Sequence, residues 1–270
     1  CKGSQPTDGG NLLFDTKESV EQLVKAEPLA AKYIREFVGA DEFIKGKRRY
    51  CLWLVNANPS DLKKCPEIMR RVAAVRETRL KSTKAATRKQ AETPTLFTEI
   101  RQPGGTYVVV PEVSSEKRRY VPIGFMDEKT VCSNLVFIVP EAELYHFGII
   151  TSNVHMAWMR TVCGRLEMRY RYSNTLVYNT FPWPTPTEQQ KLKIEQTAQA
   201  ILDARALYPD SSLADLYDEL TMPPELRKAH QANDRAVMDA YGFVKGSPAR
   251  TSESACVAEL MKMYQALTSK

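Results

Sequence analysis

Residues 180–190 read TFPWPTPTEQQ, and the texture of the chain changes across them. Before Pro184, short runs rich in β-branched and aromatic residues alternate with helical patterns. These runs are 49–55 (RYCLWLV), 107–110, 120–125, 131–139 and 175–178, bounded by Pro, Gly and Asn, and they are expected as strands. After Pro184 only helical patterns follow. Thr187 with Gln190 three residues on is a capping-box spacing, predicting a helix to about Leu207. Ser212 with Asp215 begins a short helix, Pro224 opens another that Gly242 ends, and a last one covers about 251–267. The expected fold class is therefore α+β: a mixed strand and helix domain over 1–186, then a small all-helical domain over 187–270.

Two helices are expected inside the mixed domain. Pro66 starts one with Ile68, Met69, Val72 and Val75 on its apolar face. Ser152 caps another that runs to Cys163 and stops at Gly164. His155 lies on the second, three residues before Trp158, where a packed, hydrogen-bonded histidine is the simplest reading.

With 43% hydrophobic and 26% charged residues in 270, the chain has a globular composition, which excludes wholesale disorder. No apolar run approaches the roughly 18 residues of a membrane helix. Residue 1 is Cys, with no initiator Met or signal core, so a piece of a longer protein is expected. Six cysteines without a CxxC pair and three scattered histidines (146, 155, 230) favour free thiols in a reducing compartment over zinc. GxSxG, HExxH and GxxxxGK[ST] are absent, and the acid-x-Lys pairs Asp15/Lys17 and Asp61/Lys63 are no more than chance supplies. No catalytic or metal-binding constellation is legible.

Charge is unevenly spread around a net +6. Ten basic residues and two acids between 63 and 89 give a local +8, whereas seven acids and three basic residues between 185 and 220 give −4. The basic run interleaves hydroxyls with cations, the mixture that phosphate oxygens bind. Its candidate phosphate contacts are Arg76, Arg79, Lys81, Ser82, Lys84, Thr87 and Arg88. Arg76, Arg79 and Thr83 stand at helical spacing, opposite part of the apolar face. A second cluster, Ser114, Ser115, Lys117 and Arg118, falls between two expected strands. The third is 165–172 (RLEMRYRY). If it is extended, Glu167, Arg169 and Arg171 share one face. Arg can bond guanine bidentately and Glu can accept from the cytosine amino group. A surface ladder of ion pairs is the competing reading of the same pattern.

These clusters and the text around them resemble the MmeI-like (type IIL) family of bacterial restriction–modification enzymes. The resemblance is carried by Gly3-Ser4-x-Pro6-x-Asp8-Gly9-Gly10, by Phe37-Val38-Gly39-Ala40 with Glu42 and Arg49-Tyr50-Cys51-Leu52-Trp53-Leu54, and by Arg79-x-x-Ser82-x-x-x-x-Thr87. It continues through Ser114-Ser115-Glu116, Arg119-Tyr120-Val121-Pro122-Ile123-Gly124-Phe125, His146-Phe147-Gly148, His155-Met156-Ala157-Trp158 and Cys163-Gly164-Arg165-Leu166. It closes on Val177-Tyr178-Asn179-x-Phe181-Pro182-Trp183-Pro184.

The resemblance implies a target recognition domain over 1–186 and the helical C-terminal module after it. Upstream it implies a nuclease and an adenine methyltransferase, with S-adenosylmethionine and Mg2+ as cofactors of the parent chain and none in this one. This chain by itself would neither methylate nor cut. Implied partners are double-stranded DNA and the upstream methyltransferase domain of the same polypeptide. A monomer in the bacterial cytoplasm is expected. The resemblance further marks Asn134, Leu135, Glu167 and Arg169, with Arg171 beside them, as base-reading positions. Glu167 and Arg169 together suggest a C·G pair with cytosine on the strand carrying the methylated adenine. Leu135 departs from a polar reader and offers only apolar contact. Two other classes stay open: a self-contained small nuclease or transferase, and a protein-interaction scaffold using the acidic helical tail.

Overall fold

A computed structural model describes residues 1–269. The chain divides into two units, one of residues Cys1–Gly105 with Met126–Ile138 and one of Thr106–Phe125 with Val139–Lys270.

The first unit holds β1 (Leu13–Phe14), α1 (Lys17–Ala26), β2 (Ile34–Val38), α2 (Ala40–Lys45), β3 (Tyr50–Leu52), α3 (Pro59–Lys63), α4 (Pro66–Leu80) and α5 (Ala85–Lys89). After β4 (Tyr107–Pro111), β5 (Val113–Ser114) and β6 (Gly124–Met126), β7 (Thr130–Cys132) returns to it. Its sheet has the order β1-β3-β2-β7, with β2 antiparallel to β3 and parallel to β7. The core pairs sheet residues such as Phe37, Cys51 and Leu52 with the α4 stripe Ile68, Val72 and Val75. Met69, expected on that stripe, is exposed. The buried carboxylate of Glu27 accepts from the Glu67 and Ile68 amides at 2.5 and 3.3 Å, satisfying two of the unpaired donors at the start of α4. Gly3 lies so close to the backbone beyond β7 that a Cβ there would sit 2.4 Å from the Ser133 carbonyl oxygen.

The chain leaves the first unit within β8 (Val136–Pro140), and the second unit continues into α6 (Leu144–Ile150), α7 (Asn153–Val162), β9 (Gly164–Leu166) and β10 (Arg169–Arg171). Then come α8 (Glu188–Ala206), α9 (Leu213–Leu216), α10 (Pro224–Ala240), α11 (Pro248–Thr251) and α12 (Glu253–Thr268). The expected caps are in place. The Thr187 and Ser212 hydroxyls accept from the Gln190 and Asp215 amides, and the Ser152 hydroxyl accepts from the His155 amide. Among the described residues, every regular element after Pro184 is a helix, as the sequence predicts. These helices pack on the preceding segment. A Cβ on Gly148 of α6 would lie 2.6 Å from Ile194 of α8, so only glycine permits that approach. The two remaining sheets have the orders β5-β10-β9 and β6-β4-β8.

Four expected strands differ, and of 49–55 only Tyr50–Leu52 is strand. Residues 131–139 are two strands, β7 and β8, broken by a turn at 134–135, and 120–125 is strand only at its end. The run 175–178 is a π-turn, Asn174–Tyr178. There the Ser173 hydroxyl accepts from the Leu176 amide, the Asn179 amide donates to the Asn174 carbonyl at 2.8 Å, and the Trp158 indole donates to the Val177 carbonyl at 3.2 Å. Local capping and one buried donor override the β propensity of Thr, Val and Tyr.

His155 is fully buried, and its Nε2 is 3.0 Å from the Tyr172 hydroxyl. Burial drives its pKa from 6.5 down to about 3. Burial also lowers that of His230, helped by the positive field of Arg205 and Arg119. With folded values below the unfolded one, the unfolded chain binds more protons, so stability present above pH 6.5 is lost as pH falls toward 3. Each histidine should contribute a slope of up to about 1.4 kcal/mol per pH unit. Between pH 6.5 and 5, above most carboxylate titrations, denaturant midpoints should fall steadily. His155→Gln should remove one proton's share of that slope. An unchanged slope in the variant would show that His155 is not held neutral.

Candidate nucleic-acid interface

The segment 165–172 is not one extended strand. β9 and β10 form a hairpin pairing Leu166 with Arg169, Arg165 with Tyr170 and Gly164 with Arg171. Glu167 and Met168 make the two-residue turn, with Glu167 in the left-handed region at φ 57°. A turn of this length ordinarily uses Gly, Asn or Asp at such a φ, so the sequence contains no turn signal here. Alternation puts Arg169 and Arg171 on one face of β10, while Tyr170, on the other, lies under the Arg165 guanidinium at 4.0 Å. Glu167 leaves that face at the turn but reaches back, its carboxylate 2.8 Å from Arg169 Nη2. Both side chains are exposed, at 77% and 46%.

The base of the hairpin is fixed. β10 pairs antiparallel with β5, and the Tyr172 amide donates to the Glu112 carbonyl at 2.8 Å. The buried Glu112 carboxylate accepts from Arg171 at 3.1 Å. Glu112 carries no signal in the sequence, because only β5–β10 pairing brings it to Arg171. Beyond it, Tyr172 is buried on His155. The arrangement joins a rigid base to a solvated tip with a carboxylate, two guanidiniums and the exposed Met168.

In the same unit, the Ser115 hydroxyl accepts from the Lys117 amide and its carbonyl from the Arg118 amide, making a turn that exposes Lys117. Burial lowers the pKa of Arg118, with the charge of Asp218 opposing that shift. Ser114 is 3% exposed and its hydroxyl points inward, so it cannot reach a phosphate, contrary to the sequence expectation.

In the first unit, the turn joining β7 to β8 presents Asn134 half-buried and Leu135 exposed. The basic run separates into exposed and buried cations. Arg76, Lys81 and Lys84 are exposed and make no ion pair among the described residues. Ser82 and Thr87 are half-buried, with the Ser82 hydroxyl accepting from the Lys84 amide. Arg88 folds one side of its guanidinium onto the Ser82 and Thr83 carbonyls, each at 2.8 Å.

Arg79 contradicts its expected role. It is 1% exposed and donates to the carbonyls of Pro6, Thr7, Gln90, Thr93 and Leu96 at 2.6–3.0 Å. Its position follows from spacing. Residues 68, 72, 75 and 79 continue one helical stripe, so Arg79 lies on the apolar face and not opposite it. Burial lowers its pKa, with Asp8 opposing the shift.

Among the described residues, no group of three or more His, Cys, Asp or Glu could hold a metal ion, and no helix is long and apolar enough to cross a membrane.

Two family models match the chain end to end: MmeI, target recognition domain, over residues 1–185, and MmeI, C-terminal domain, over 186–270. Their junction falls inside the second unit. DNA methyltransferase A of Bacillus subtilis (strain 168) is 40% identical over 268 residues, covering 99% of this chain and 30% of that protein. A solved structure, that of the type IIL restriction–modification enzyme MmeI in complex with DNA, superposes with a TM-score of 0.95 at 49% identity. It covers all of this chain and 35% of that one, so the chain spans about a third of the length of both relatives.

The burial of Arg79 separates structure from binding in a way that stability can measure. Arg79→Met leaves the Pro6, Thr7 and Leu96 carbonyls without a donor, while the Gln90 and Thr93 carbonyls keep the Thr93 and Leu96 amides, and it should cost about 3–5 kcal/mol, seen as a fall in melting temperature. Arg76→Ala should stay within about 0.5 kcal/mol of the parent. Equal effects of the two would refute the distinction.

Proposed function

Because the chain belongs to the MmeI family, as its target recognition domain and C-terminal domain, we propose that it reads an asymmetric duplex DNA site on behalf of catalytic domains upstream in one longer polypeptide. Those domains are an adenine-specific methyltransferase and an endonuclease, and S-adenosylmethionine and Mg2+ serve them, not this chain. The polypeptide acts as a monomer in the bacterial cytoplasm.

The observation that carries this reading is the hairpin of β9 and β10, whose solvated Glu167–Arg169 tip stands on a base held by Glu112 and Tyr172. An exposed ion pair is worth about 0–1 kcal/mol, so exchanging it for base edges costs little. Glu167 meets the amino group of cytosine, and Arg169 meets the paired guanine. Arg171, with its Nε and Nη2 engaged by Glu112, keeps Nη1 for a neighbouring contact. Asn134 and Leu135 read a further position, Leu135 by apolar contact or steric exclusion. Arg76, Lys81, Ser82, Lys84, Thr87 and Arg88 in one unit, and Ser115, Lys117 and Arg118 in the other, hold phosphates without selecting sequence.

Two experiments test this in the full-length polypeptide. Exchanging the charges, Glu167→Lys with Arg169→Asp, puts a donor where the acceptor was. The methylated sites should then carry G in place of C at one position on the modified strand, and methylation that keeps C there would refute the assignment. Replacing Arg76, Lys81 and Lys84 by Ala should weaken binding to all duplexes alike. The slope of log K against log salt should flatten by about 0.9 for each phosphate no longer neutralised. An unchanged slope with altered sequence preference would contradict it.

A further inference from the structure

The motif Gly3-Ser4-x-Pro6-x-Asp8-Gly9-Gly10 opens the chain, and the base-reading account gives it no task. Its last four residues form a tight loop in which Thr7, Gly9 and Gly10 all have positive φ, at 41°, 63° and 81°. Most of the loop's acceptors are engaged. Arg79 holds the Pro6 and Thr7 carbonyls at 2.9 and 3.0 Å. The Asp8 carbonyl accepts from the Asn11 side chain at 2.8 Å, the Asp8 carboxylate from the Leu12 amide at 2.6 Å, and the Gly10 carbonyl from the Leu13 amide at 3.4 Å. The amides of Gly9 and Gly10 have no partner among the described residues, and both glycines are exposed.

The loop leans on α4. A Cβ on Gly9 would lie 2.9 Å from the Thr78 hydroxyl oxygen, which is itself occupied in donating to the Ala74 carbonyl. A Cβ on Gly10 would meet nothing within 4 Å. Lys81 stands three residues beyond Thr78, one turn along the same side of the helix end, exposed and without a carboxylate partner among the described residues. Successive N–H groups in left-handed or turn conformation make a concavity for anions, and glycine lets an anion approach the backbone closely. Arg79 adds positive charge beneath the loop, countered in part by Asp8.

We propose that the Gly9 and Gly10 amides, with Lys81, dock one backbone phosphate of duplex DNA and so set the register of this unit on the strand. The inference rests on the DNA-reading function and deepens it. The occupant is a duplex phosphate and not a free anion, because the exposed cations Arg76, Lys81 and Lys84 extend along the helix end and the loop after it, where a polyanion can follow.

The probe is a set of cognate duplexes, each with a single methylphosphonate at one backbone position, bound by the full-length polypeptide. The wild type should show one position at which the substitution weakens binding about ten-fold, the scale of one hydrogen-bonded charge. Gly10→Asn keeps a residue that tolerates left-handed φ but fills the approach with a side chain. It should weaken binding to every unmodified duplex and lose the penalty at that one position, keeping it elsewhere. Lys81→Ala, on an exposed site, should reduce the penalty at the same position and serves should Gly10→Asn lower the melting temperature. Inorganic phosphate at millimolar concentration should not compete. A methylphosphonate profile unchanged in both variants overturns the site while leaving DNA reading intact. Absence of sequence-selective binding by the wild type overturns both.

Discussion

The arrangement of the second unit depends on a buried relay of hydrogen bonds that ends at Tyr172. Asp234 on α10 is 6% exposed. Its carboxylate accepts from the Tyr120 hydroxyl at 2.6 Å and from the Asn153 amide, at the start of α7, at 2.7 Å. α7 in turn carries His155, whose ring meets the Tyr172 hydroxyl, and Tyr172 adjoins β10. Tyr120, Asp234, His155 and Tyr172 are removed from water, where a hydrogen bond is stronger and a missing one costs more than at the surface. The hairpin of β9 and β10 therefore has a fixed base although its own residues are mostly exposed. The neighbouring Arg205, Tyr217 and His230 extend the network, with Tyr217 and His230 at 2.8 Å and His230 stacked on Tyr120. A reader of base edges needs this combination, because a loosely held side chain discriminates poorly.

The first unit uses charge in two opposite ways within one helix. Arg79 is buried and gathers five carbonyls from two loops, so its guanidinium is part of the fold. Arg76 and Lys81, within three residues of it, are solvated and unpaired among the described residues, so their charge is available to a partner. A count of basic residues treats the three alike. Their depth separates a structural cation from exposed ones, and of the three only the exposed pair, proposed to hold phosphates, should respond to salt.

What could be read from the sequence was local. The hydroxyl caps at Ser152, Thr187 and Ser212 were legible because the hydroxyl and the amide it serves lie within three residues of each other. The burial of Arg79 was also in the text, through the 68-72-75-79 spacing, but a run of cations around it concealed the stripe. The hairpin was not legible, since Glu167 takes a left-handed φ with none of the usual turn residues. Nor was Glu112, which reaches Arg171 only through strand pairing 59 residues apart. The π-turn at Asn174–Tyr178 was hidden by residues with strand propensity. The division into two discontinuous units was equally illegible, because composition changes at Pro184 while packing carries the later helices onto α6 and α7.

In the proposed reading, Glu167 and one cytosine amino group recognise each other. That recognition is tested most directly by a double-mutant cycle between protein and DNA, with binding measured at fixed salt. One arm is Glu167→Ala, and the other replaces that cytosine by an analogue lacking the 4-amino group while keeping the rest of the duplex. The two changes should not be additive, with a coupling of about 1–3 kcal/mol, so that the analogue costs affinity in the wild type and little in the variant. Strict additivity, with the analogue equally costly in both proteins, would contradict it.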